Sequence, residues 1–156
     1  MKRINIFLFL TSLSFSLWAY PEMGDFVRYE ALYEGQVVTL EKKILSHDLE
    51  KNTFIVRNLM LYKNEIIQDQ LFELPHSFLY NPQKVQNVLE TCEAREGAIG
   101  DMRVEDKKIK VCEFYDESSQ LTYMIGNVPF GQVRFQIYLK DEDFLDFHLK
   151  RFNQGN

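Results

Sequence analysis

Thr53-Phe54-Ile55-Val56-Arg57-Asn58-Leu59-Met60-Leu61-Tyr62-Lys63-Asn64-Glu65-Ile66-Ile67-Gln68-Asp69-Gln70-Leu71-Phe72-Glu73-Leu74 decides the fold of this chain. Alternate side chains of a strand point to opposite faces, so a period of two in apolar character marks β structure. In residues 53–63, Phe54, Val56, Met60 and Tyr62 share one face, while Ile55, Leu59 and Leu61 share the other. Lys63-Asn64 is a turn signal, and residues 65–74 form the return strand. There Ile66, Phe72 and Leu74 face one way and Ile67 and Leu71 the other. Apolar residues on both faces predict two strands covered from both sides.

The same reading extends outward. Residues 25–33 end at Glu34-Gly35, and residues 36–47 carry Val37, Val38, Leu40, Ile44 and Leu45. Further strands are predicted at 99–105, 109–116, 121–126, 132–140 and 144–152, with turns at Asp106-Lys107-Lys108, Ser118-Ser119-Gln120 and Asp141-Glu142-Asp143. The last segment also admits a helix. Residues 127–131, Asn-Val-Pro-Phe-Gly, form a corner. One interruption is helical. Asn81 is a suitable N-cap and Pro82 suits the first helical position, where its missing N–H is not needed. Val85, Val88, Leu89 and Cys92 recur at helical spacing, and Gly97 is placed as the left-handed residue that ends a helix over 82–96. About nine strands joined by short turns must pair antiparallel. The predicted class is α+β, mainly antiparallel β: a curved sheet or partly open β-barrel with one helix packed on it.

The N-terminus reads as a secretory signal peptide. Lys2 and Arg3 precede a stretch in which ten of the fifteen residues from Ile4 to Trp18 are apolar, too short for a membrane span. Cleavage is expected after Ala19, with Ser16 as the alternative because Leu17 is bulky at the −3 position. No stable membrane span is expected afterwards. The full chain has 156 residues and a net charge of −5; without residues 1–19 it would have 137 residues and, lacking two cations, a charge of −7. One periplasmic or secreted domain over 20–156 is the expectation. Its acidity argues against nucleic acid as a partner. In an exported chain the two cysteines, Cys92 and Cys112, read as a disulfide; free thiols or half of a metal site are the alternatives.

No constellation singles out a catalytic site. None of the serines sits in a G-x-S-x-G elbow, and there is no phosphate-binding glycine loop. His76-Ser77 are adjacent only in sequence. His47, His76 and His148 lack metal-ligand spacing. The acidic cluster Asp141, Glu142, Asp143, Asp146 with His148 lacks the spacing and the glycine of an EF-hand loop. The chain is expected to be non-enzymatic, without cofactor or metal.

Gly24-Asp25-Phe26-Val27-Arg28-Tyr29 resembles the GDWVxY opening strand of an uncharacterised family of secreted bacterial β-sheet proteins. Val128-Pro129-Phe130-Gly131-Gln132-Val133 resembles that family's VPxGxV corner, and the helix-borne Cys92 with Cys112 matches its helix-to-strand disulfide. Phe26 replaces the family's Trp, and Asp106-Lys107-Lys108 replaces its Pro-Ala-Gly turn. The overall plan is similar to the open-barrel lipoprotein carriers of the LolA and LolB type. Neither likeness implies catalytic residues.

Two functions follow as expectations. Ile55, Leu59, Leu61, Ile67 and Leu71 are candidate ligand-binding residues, because five aliphatic side chains at about 1.5–3 kcal/mol each are not readily left in water. An apolar ligand such as a lipid would make the protein a carrier. An envelope protein partner would make it a structural or interaction component with a filled core.

Overall fold

The computed structural model describes residues 21–75, 81–118, 120–138 and 144–153. The proposed leader, the His76-Ser77 pair and the acidic turn at 141–143 lie outside them.

Nine strands form one antiparallel sheet. They are β1 (Phe26–Tyr33), β2 (Gln36–Asp48), β3 (Thr53–Tyr62), β4 (Glu65–Pro75), β5 (Ala98–Val104), β6 (Lys107–Asp116), β7 (Leu121–Gly126), β8 (Gln132–Tyr138) and β9 (Phe144–Asn153). The single α-helix among the described residues, α1 (Pro82–Glu90), lies between β4 and β5. The order across the sheet is β4-β3-β2-β1-β9-β8-β7-β6-β5. Two meanders are therefore joined by one long-range pairing, β1 with β9, and the sheet ends on β4 and β5 without closing.

The hairpin turns follow from backbone sterics. Glu34-Gly35 and Lys63-Asn64 each place two successive residues at positive φ (49° and 72°; 53° and 63°). Paired positive φ values match the right-handed twist of the flanking strands. The turn into β6 is Glu105-Asp106, with Glu105 at φ 52°, and Lys107 and Lys108 already belong to the strand. It is shorter than the sequence reading placed it. Residues 144–153 are a strand, not the alternative helix.

The sheet is strongly curved. Three to four strand spacings separate β9 from the β5–β6 hairpin, about 14–19 Å in a flat sheet. Yet Arg151 Nε lies 3.4 Å from Glu105 Oε1, and Lys107 Nζ lies 4.4 Å from the centre of the Phe152 ring. The main core gathers Val27, Tyr29 and Leu40 with Val111, Val133, Phe135, Phe147 and Leu149. Tyr29 meets Phe135 edge-on at 5.0 Å, and its hydroxyl donates to the Gln132 carbonyl at 3.0 Å. Burial pushes this phenol far above its usual pKa range, so it stays a donor.

Helix α1 covers β6 and β7, away from β3 and β4. The Asn81 side chain accepts from the backbone N–H groups of Gln83 and Lys84, as the capping argument requires. Val85, Leu89 and Cys92 pack with Cys112, Phe114 and Ile125. Alternation in β6 sends Ile109 and Val111 to the main core and Cys112 to the helix. The Cys92–Cys112 disulfide is formed, across a Cα separation of 5.8 Å.

The helix is shorter than its periodicity implies. It ends at Glu90 with Thr91 as C-cap, and a 3-10 turn (Glu93–Arg95) follows. The left-handed residue is Glu96, at φ 61°, not Gly97. Gly97 is required for space instead. A Cβ there would lie 2.8 Å from Cys112 Sγ, 2.9 Å from Cys92 Sγ and 2.9 Å from Phe114 Cε1. Gly97→Ala is therefore expected to destabilise by about 1–3 kcal/mol through overpacking. A chemical-denaturation midpoint unchanged from wild type would contradict this.

Candidate interaction surfaces

The five predicted ligand-binding residues fall on one face of the β3–β4 hairpin, and among the described residues no element covers them. Register places Leu71 opposite Arg57 and Asp69 opposite Leu59, which puts Leu71 with Ile55, Leu59 and Leu61. A bulge between Met60 and Leu61 sets Ile66 opposite Leu61, so Ile66 and Ile67 both adjoin the patch. Ile55, Leu59 and Leu61 are half-buried, whereas Ile66, Ile67 and Leu71 are 59%, 57% and 64% exposed. The expectation of cover from both sides is thus corrected. The helix sits on β6 and β7, while β3 and β4 form the far edge of the sheet. A two-faced apolar pattern is the same for a buried strand and for an exposed aliphatic face.

Charged pairs organise this surface. Arg57 grips Asp69 with two bonds, Nε to Oδ1 at 2.8 Å and a second nitrogen to Oδ2 at 2.6 Å. The guanidinium hydrogen bond holds the Asp69 carboxyl below its usual pKa. Arg28 donates to Glu41 at 2.7 Å one strand further in. Leu32 and Val37, paired across the β1–β2 hairpin, are also exposed. They border a cleft of about 490 Å³ lined by Glu30, Asp146, His148 and Lys150. Beside it, Arg134 binds the cleft residue Asp146 at 2.6 Å and also Glu113 at 3.1 Å, and His148 lies 3.4 Å from Asp146. Desolvation pushes the Asp146 carboxyl up, but the Arg134 hydrogen bond and the nearby His148 outweigh it and hold the net pKa low. Asp146 is thus committed to Arg134. Among the described residues no group of three side chains is arranged to hold a metal.

A second cleft, of about 330 Å³, opens on the core face of β2, β3 and β4. Lys42, Val56, Asn58, Phe72, Leu74, Phe130 and Gln132 line it. Lys42 is half-buried, and its Nζ donates to Gln132 Oε1 at 3.3 Å. The ammonium lies 5.3 Å from the Phe135 ring centre and 6.0 Å from that of Tyr29. Burial pushes its pKa down. Phe130 reaches this cleft from the β7–β8 corner, where it adopts φ 64°, a costly conformation for an aromatic residue, followed by Gly131 at φ 69°. The sequence reading missed this cleft. Its signal is a cation in an apolar row: Val38, Leu40, Lys42 and Ile44 share one face of β2.

No protein-family model matches the chain, and no curated protein matches it. A solved structure does: "Crystal structure of MucB in complex with MucA(peri)". The likeness is one of fold. The TM-score is 0.50 and the identity 11%, over 85% of this chain. This chain spans only 51% of the length of that MucB chain. No described helix is long and apolar enough to cross a membrane.

Proposed function

We propose that this is an exported, non-enzymatic envelope protein whose β3–β4 hairpin docks a protein partner. The observation that carries the reading is the aliphatic face of Ile55, Leu59, Leu61, Ile66, Ile67 and Leu71, left open at the edge of the sheet. Exposed apolar clusters rimmed by charge mark interaction sites. Here the Arg28–Glu41 pair borders the patch, and the Arg57–Asp69 pair crosses it. Among the described residues β4 is an edge strand, which an extended segment of a partner could extend as a further strand. The fold likeness to MucB, whose structure holds the protein partner MucA(peri), supports a protein-docking role. A periplasmic or secreted location fits the N-terminal stretch, and the Cys92–Cys112 bond fits an oxidising compartment.

Leu71→Asp tests this reading. Leu71 is mostly exposed, so the substitution is expected to shift stability by no more than about 0.5 kcal/mol. The variant should keep the wild-type melting temperature and lose a discrete protein that co-purifies with wild type from envelope extracts. Undiminished co-purification would overturn the assignment.

A further inference from the structure

The Lys42 cleft has a polar end and an apolar end. Lys42 is registered opposite Asn58, and Asn58 opposite Gln70, so these side chains form one row across β2, β3 and β4. The next row on the same face is Ile44, Val56 and Phe72. Leu74 and Phe130 pack against Ile44, Phe54 and Val56, which extends the apolar end. Gln132 joins the polar end through its contact with Lys42.

Among the described residues no carboxylate pairs with the charge at the polar end. The ion pairs of the described residues do not include Lys42. Its partners are an amide oxygen and two ring faces. Withdrawing an ammonium from water without a counter-ion is costly, and ring faces and an amide compensate only in part. Asn58 and Gln132 bring amide N–H groups to the same place, which are further donors suited to an anion. Along the cleft the wall then becomes aliphatic and aromatic.

We propose that this cleft binds a single-chain amphiphile with an anionic head, with Lys42, Asn58 and Gln132 around the head and Val56, Phe72 and Phe130 along the chain. Carboxylate and phosphate heads share this chemistry. The site lies on the face of β3 opposite the protein-docking patch, so the two functions fail separately.

The probe is cis-parinaric acid, a fluorescent fatty acid, with its methyl ester as the uncharged control. The acid should bind saturably at one site per chain, and the ester more weakly. Lys42→Gln should weaken binding of the acid by about tenfold or more, the scale of one lost charge-assisted hydrogen bond, and leave the ester unaffected. Lys42→Arg should retain binding of the acid, and it reports on the site even if Lys42→Gln folds poorly. Leu71→Asp, on the other face, should bind the probe as wild type does. Displacement by palmitate alone would assign the head as a carboxylate, and displacement by lysophosphatidylglycerol as well would extend it to phosphate. Equal affinity for acid and ester, or equal affinity of wild type and Lys42→Gln for the acid, would overturn the proposal. So would the absence of saturable binding.

Discussion

Phe147→Ala is expected to lower the stability of the protein by about 3–5 kcal/mol, the range for truncating a buried aromatic side chain. Phe147 is fully buried in β9, and its ring stacks on Phe135 at 5.3 Å. β9 is also the strand that pairs with both β1 and β8, so it joins the two meanders into one sheet. A cavity at this position loosens the long-range joint as well as the core. The urea midpoint should fall by a large fraction of its wild-type value, because total stability for a domain of this size is only about 5–15 kcal/mol. Tyr115→Ala, at a 62%-exposed position on β6, should leave the midpoint almost unchanged. Similar midpoints for the two variants would contradict the core assignment.

Loss of the Cys92–Cys112 bond should have the next largest effect. The two residues are 20 apart in sequence, and closing a loop of that size restricts the unfolded chain by about 3 kcal/mol. Helix α1 has nine residues and cannot persist by itself. Its hold on the sheet rests on Val85, Leu89 and the disulfide. Reduction, or Cys92→Ala with Cys112→Ala, should lower the melting temperature by roughly 10 °C. Coincident melting curves for oxidised and reduced protein would show that the bond contributes nothing.

The sequence predicts the local structure well because its signals are local. Alternation in residues 53–74 and 132–138, the Asn81-Pro82 start and the Glu34-Gly35 turn each depend on near neighbours. The disulfide follows from having two cysteines in a chain that reads as exported. What could not be read is long-range. Nothing in residues 26–33 announces that they pair with residues 144–153, and that pairing determines which strands become edges. Because β4 is an edge and α1 packs elsewhere, the aliphatic side chains of Ile67 and Leu71 face outward. The same pattern in a central strand would have been core. Gly97 shows the converse: its position suited a helix terminus, but its reason is the pair of sulfur atoms beside it. The Lys42 cleft depends on Phe130 and Gln132 arriving from the β7–β8 corner, almost ninety residues away in sequence.

The docking claim is tested most directly by a photo-reactive residue introduced at Ile67 on the exposed patch, in cells that naturally produce the protein. Illumination should give one discrete protein adduct, and Leu59→Asp in the same chain should abolish it. The same photo-reactive residue at Tyr115, away from the patch, should give none. An Ile67 adduct that persists in the Leu59→Asp chain, an equal adduct from Tyr115, or no adduct from Ile67 would contradict a partner on the β3–β4 face.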